Sequence, residues 1–109
     1  MKRLASFVCL LAAFALVAGP TRAAPDGKTI FLHGNQNGAM PCAACHGATA
    51  RGNSAIGAPQ LAGLPAGVIT ADLADFADGG GNATMQYIAQ ALSPAETEAV
   101  AQYLASLPK

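Results

Sequence analysis

The chain has 109 residues with six Lys or Arg and six Asp or Glu, so its formal charge is zero and only 11% of it is charged. A chain this short builds one domain, and so thin and balanced a charge excludes the basic surface that nucleic acid demands. Three cysteines are too few for a disulfide scaffold.

The first segment reads as a targeting signal. Met1-Lys2-Arg3 gives a positive start, and Leu4 to Ala18 is an apolar run interrupted only by Ser6. Gly19-Pro20 breaks the run, and Thr21-Arg22-Ala23 places small residues where a signal peptidase reads. This layout predicts a secretory signal peptide over residues 1–23, cleaved after Ala23, and a periplasmic location. The competing reading is an uncleaved anchor, although the run is shorter than the roughly 20 residues that span a bilayer. Cys9 is an apolar filler that leaves with the signal. Residues 24–109 are then expected to form a single domain, with Lys28, Arg51 and Lys109 against six acids for a charge of −3. That domain has no Trp, two Tyr and, of four Phe, only Phe31 and Phe76. Small exported domains of this kind usually add disulfides or a bound group. Cys42 and Cys45 close too small a loop to stabilise much, so something other than side chains should fill the core.

Along this domain, Asp26 to His33 predicts a short helix, capped by Asp26 and ended by Gly34-Asn35, with Ile30 and Phe31 on its apolar side. The segment Pro41-Cys42-Ala43-Ala44-Cys45-His46-Gly47 follows. Residues 47–67 are rich in Gly, Ala and Pro without a period and read as loop, with Ile56, Leu61 and Leu64 spaced to pack against something flat. Thr70 to Asp78 predicts a helix with Thr70 as cap and Leu73 and Phe76 inward, stopped by Gly79-Gly80-Gly81. Met85 to Leu92 predicts another. The last helix is the best marked: Ser93 caps it, Pro94 takes the first position, and Glu96 completes a capping box. Val100, Tyr103, Leu104 and Leu107 form its apolar stripe. No segment alternates like a strand, so the fold class is all-α, with short helices and long connections.

Two thiols three apart followed at once by a histidine admit three uses. A thioredoxin-like redox pair needs a βαβ setting that this chain lacks. Zinc needs four ligands, and beyond Cys42, Cys45 and His46 only His33 is left. Covalent haem suits every position. Thiols on one helical turn reach the two vinyl groups on one edge of the ring as thioethers, and His46 comes under the iron as proximal ligand. The disc also supplies the missing core.

For the opposite face of the iron the candidates are Met40, Met85 and His33. Met40 is tethered two residues before Cys42, on the proximal side, and reads as a packing residue. Met85 lies far enough downstream to wrap around the disc and follows the flexible Gly79-Gly80-Gly81-Asn82, so it is the expected distal ligand. His33, close to the proximal side, is the rival in a bis-histidine site. Iron-bound histidines donate their other ring N–H to a carbonyl, and Pro59 in Gly57-Ala58-Pro59-Gln60-Leu61 is placed to offer one. A turn proline is the plain alternative.

With these residues in view, the chain resembles the class I c-type cytochromes, in particular the small bacterial monohaem cytochrome c-553/c5-like proteins and one half of the dihaem cytochrome c4 type. The resemblance runs from about Gly27 to Leu107. It rests on Gly27 and Phe31, Cys-Ala-Ala-Cys-His-Gly at 42–47 and Ala-Pro-Gln-Leu-Ala-Gly at 58–63. Leu73, Phe76, Gly79, Met85, Leu-Ser-Pro-Ala-Glu at 92–96 and Tyr-Leu-Ala-Ser-Leu at 103–107 complete it. It implies a cytochrome c fold of four or five short helices around one haem, with the first and last helices crossing near Gly27 and Phe31 against Tyr103 or Leu104. It also implies the Pro59 carbonyl on His46 and Met85 on iron. Val68-Ile69 stand where the family often has an aromatic, and Gly80-Gly81-Asn82 where it often has a basic residue after the glycine. These positions concern propionate contacts and partner docking.

The resulting expectation is an electron carrier, not an enzyme, free or as the haem subunit of a complex. Its cofactor is one covalent haem c with iron, and its partners are redox proteins, without nucleic acid or membrane insertion. The alternative is a ligand-binding or peroxidase-like haem protein with a labile sixth site. The haem edge held by Cys42 and Cys45 should be bordered by Ala43, Ala44, Gly47 and Ala48. The expected docking surface is apolar with a modest charged rim, facing a neutral or basic partner.

Overall fold

A computed structural model describes residues 24–109; the expected signal segment and Cys9 lie outside the described residues. Five α-helices follow in order: α1 (Gly27–His33), α2 (Ala43–His46), α3 (Ala66–Ala77), α4 (Ala83–Gln90) and α5 (Pro94–Ala105). A 3-10 turn (Ser54–Ile56) interrupts the long connection between α2 and α3. Among the described residues there is no strand, only an isolated bridge between Asn53 and Ala58. The all-α class is the observed one.

Helix ends follow local chemistry. The Asp26 carboxylate accepts from Lys28 N–H at 3.0 Å and from the Thr29 hydroxyl at 2.8 Å at the start of α1. At α5, Glu96 N–H donates to Ser93 Oγ at 3.1 Å and Ser93 N–H donates to Glu96 Oε1 at 3.0 Å, with Pro94 at the first position. Two of the donors that a helix start leaves unpaired are thereby satisfied.

Two predicted boundaries are corrected. The third helix starts at Ala66, one turn before Thr70, and Pro65 rather than Thr70 is its N-cap residue. The Thr70 hydroxyl instead donates to Gly67 O at 3.1 Å, so it lies inside the helix it was expected to cap. The fourth helix runs Ala83–Gln90 rather than 85–92, because Asn82 caps it by accepting the Met85 N–H at 2.8 Å. Met85 is thus in the first turn instead of at the start. The loop at 47–67 is also more ordered than its composition suggests. Ala50, at φ 58° and fully buried, accepts from Leu61 N–H and Ala62 N–H through its carbonyl, at 2.8 and 3.0 Å. Gly63 N–H donates to Leu104 O at 2.9 Å, which ties the loop to α5.

α1 and α5 cross in direct contact. A Cβ on Gly27 would overlap the Ala99 carbonyl, so only glycine permits this approach. Phe31 meets Tyr103 with ring centroids 5.7 Å apart at 49°. Phe31, Val100 and Leu104 are the largest fully buried side chains. α3 packs on both α4 and α5. Ile69 and Leu73 of α3 and Ala89 of α4 join the same core, which extends to Ala50 and Ala62 of the loop.

Candidate functional site

The site begins with one turn of helix. Cys42 precedes α2, His46 N–H donates to Cys42 O at 2.9 Å, and Gly47, at φ 84°, ends the turn by donating to Ala43 O at 3.0 Å. So tight a turn presents both thiols and the imidazole within one short element. Cys42 is half-buried, Cys45 is exposed, and neither is in a disulfide. Burial pushes the Cys42 thiol above its ordinary pKa, since a thiolate loses more than a thiol on leaving water.

His46 is the one buried polar side chain among the described residues, 5% exposed. Its Nδ1 lies 2.9 Å from Pro59 O. A carbonyl only accepts, so Nδ1 is the donor, and in the neutral ring Nε2 keeps its lone pair. That is the arrangement a metal-bound imidazole requires. The loop positions Pro59 through Gly52 N–H to His46 O at 2.8 Å and the paired bonds between Asn53 and Ala58. The Pro59 carbonyl is the group that the His46 ring meets at that distance.

Cys42, Cys45, His46 and Pro59 line a cavity of about 580 Å³. α3 contributes Ile69, Leu73 and Phe76, α4 contributes Met85 and Ile88, the turn after it contributes Leu92, and α5 contributes Val100 and Leu104. The volume is that of a cofactor site, and Asp72 is the only carboxylate in the lining. Cys45 and Ile56 in its wall are exposed, so the cavity is open to solvent on that side, and its mostly apolar lining favours an apolar occupant over water. The donors around it are two thiols, an imidazole and thioethers. A haem disc fits both requirements.

Both methionines reach the lining. Met40 is 46% exposed beside the attachment turn, whereas Met85 is half-buried and packed against the core. His33 is exposed at the end of α1 and does not line the cavity. In the lining, Ala44 is exposed and Ile56 is 58% exposed; of the neighbouring residues, Ala48 is exposed and Ala43 and Gly47 are half-buried.

The hydrogen bonds of four polar side chains, Asn35, Asn82, Gln86 and Gln90, were not anticipated. Asn35 Nδ2 donates to Ala91 O at 2.7 Å and to both Glu96 oxygens at 3.2 Å, while Asn35 Oδ1 accepts from Asn37 and Ala39 N–H. This joins the loop before Cys42 to the turn after α4. Gln86 and Gln90 bind carbonyls between α3 and α4. Asn82 has a local signal, a cap-type residue just before a helix. The Asn35 amide acts across the fold and the Gln86 amide across the glycine connection, and neither leaves a trace in local pattern.

The family model for cytochrome c matches residues 24–108. A thiosulfate dehydrogenase electron acceptor of Stutzerimonas stutzeri is 46% identical over 96 residues, covering 86% of this chain and 44% of that protein. The cytochrome c4 structure of Acidithiobacillus ferrooxidans superposes with a TM-score of 0.70 at 37% identity, over 74% of this chain and 48% of that one. A thiosulfate dehydrogenase structure from Marichromatium purpuratum gives 0.72 at 32% identity, over 75% of this chain and 18% of that one. The chain thus spans less than half the length of these relatives. With the attachment turn, the oriented imidazole and the apolar cavity, these matches show that the chain belongs to the cytochrome c family of electron-transfer proteins, and that its cofactor is covalently bound haem c.

Proposed function

We infer that residues 24–109 are one exported domain that carries single electrons in the periplasm, with residues 1–23 removed as its signal. In this reading Cys42 and Cys45 would hold the haem as thioethers, and His46 Nε2 and the Met85 thioether would bind its iron. When bound, haem c supplies a one-electron iron couple. The carrying observation is the His46 Nδ1 to Pro59 O contact at 2.9 Å, which leaves Nε2 as the free donor atom of a buried imidazole.

The residues then divide the work. Pro59 fixes the ring and strengthens His46 as a donor. The Met85 thioether favours ferrous iron and raises the potential. Ile69, Leu73, Ile88 and Leu104 keep water from the site, which acts in the same direction. The exposed Ala44, Ala48, Met40 and Ile56 form an apolar rim at the thiol edge, suited to close approach by a redox partner. The relative from Stutzerimonas is named for accepting electrons from thiosulfate dehydrogenase, and the donor proposed here is an oxidoreductase of that kind.

Met85→Ala tests the ligand set. The variant should lose the Met–iron charge-transfer band of the oxidised form, show a lower midpoint potential and take carbon monoxide when reduced, while the wild type does not. An unchanged band would place the ligand elsewhere, and carbon monoxide binding by the wild type would favour a ligand-binding protein instead.

A further inference from the structure

Met85 follows a connection built mainly of glycine. Between α3 and α4 the chain reads Asp78-Gly79-Gly80-Gly81-Asn82, with Gly79 and Gly81 at φ 99° and 70°. Glycine restricts its own backbone least, so these residues by themselves do little to hold the first turn of α4 in place. Carbonyls here also lie past the end of α3, where helical donors have run out.

Gln86 supplies donors for them. Its Nε2 donates to Gly79 O and to Gly81 O, each at 3.0 Å, which uses both of its N–H groups. One turn later Gln90 Nε2 donates to Ala77 O, the last residue of α3, at 3.3 Å. The side chain next to Met85 therefore bridges the carbonyls on both sides of Gly80. Asn82 meanwhile holds the N–H of Met85 itself at 2.8 Å. Gly81 is packed so closely on the Phe76 ring that a Cβ there would overlap it, and Phe76 lines the cavity. The connection, the first turn of α4 and the cavity wall are thus joined through one amide.

We propose that Gln86 is a positioning residue for Met85: by bridging Gly79 and Gly81 it sets how often the Met85 side of the cavity opens to an outside ligand. This rests on the reading of Met85 as an iron ligand. The two bridging bonds are of ordinary net strength, and their loss should speed opening by about tenfold, equivalent to about 1.4 kcal/mol. The donor atoms on iron do not change, so the resting spectrum and the potential should not move. A merely helical role for Gln86 predicts the opposite, because Ala forms helix better than Gln and would tighten α4.

The test uses the oxidised holoprotein and imidazole as the incoming ligand, with the limiting binding rate at high imidazole read by stopped flow. Gln86→Ala should keep the Met–iron band and the midpoint potential, while its limiting rate rises about tenfold. Hydrogen exchange of the Gly80 to Asn82 amides should accelerate with it. Gln86→Lys, whose ammonium offers three donors, should return the rate to within about twofold of wild type. A Gln86→Ala rate within about twofold of wild type, with the band intact, overturns the bridge and leaves the ligand reading standing. If Met85→Ala keeps both the band and the slow limiting step, the ligand reading fails and the proposal falls with it. The two failures are therefore distinguishable.

Discussion

Replacing Gly27 by alanine sets packing against helix propensity at the crossing of α1 and α5. The added Cβ would overlap the Ala99 carbonyl oxygen, and would lie 2.5 Å from its carbon and 3.0 Å from Val100 N. Ordinary carbon contacts begin near 3.5 Å, so the helices must separate by about 1 Å. That movement loosens Phe31, Val100 and Leu104, which are 0%, 2% and 1% exposed, and the 5.7 Å contact of Phe31 with Tyr103. Overpacking of this kind costs about 1–3 kcal/mol. Alanine regains at most about 1 kcal/mol over glycine in a helix interior, and less at a first helical position. Packing wins, with a net loss of about 1–2 kcal/mol. At about 4–8 °C per kcal/mol for a domain of this size, the Tm of the holoprotein should fall by roughly 4–16 °C. Gly27 does not line the cavity, so spectrum and potential should stay as in wild type. A Tm at or above wild type would show that propensity decides and that the helices do not meet at this residue.

Other predictions concern the helix caps. The Ser93 backbone N–H, followed by the Asn35 and Ser93 side chains, holds the Glu96 carboxyl below its ordinary pKa. A lowered folded value means this stabilisation is complete above the unfolded value of about 4.3. It disappears as pH falls through the folded value. Glu96→Gln should therefore flatten the fall in Tm between neutral and acid pH, and an unchanged acid profile would contradict it. The Thr29 hydroxyl holds Asp26 low in the same sense, so some acid sensitivity should survive in that variant. Ser93→Ala removes the other half of the capping box and should cost about 1 kcal/mol in denaturant unfolding; no loss would mean that Pro94 and Glu96 suffice.

Much of this architecture can be read locally, and the exceptions have a common cause. Ser93, Pro94 and Glu96 announce α5 because a cap involves only residues within one turn. Asp26 does the same for α1. Thr70 misleads because a good cap type at a plausible place carries no information that Pro65 has already started the helix. The Met85 N–H bond to Asn82 was open to the same local reading, and its neglect moved α4 by two residues. The Cys42–His46 turn stands out in the sequence because the chemistry proposed for it demands a fixed spacing. The Pro59 contact follows from the general need of a bound imidazole for an acceptor, sharpened by the resemblance. The Asn35 bonds to Glu96 cross 61 positions, and the Gln86 bridge depends on the fold of the glycine connection. Neither alters periodicity or composition, so the polar framework around Met85 emerges only in three dimensions.

Intact mass under denaturing conditions, after acidic organic extraction of the exported protein, tests the central claim most directly. The account predicts residues 24–109 plus one haem, retained through Cys42 and Cys45. A mass equal to the polypeptide alone, with the haem in the solvent, would contradict covalent attachment, and a mass that still includes residues 1–23 would contradict cleavage after Ala23.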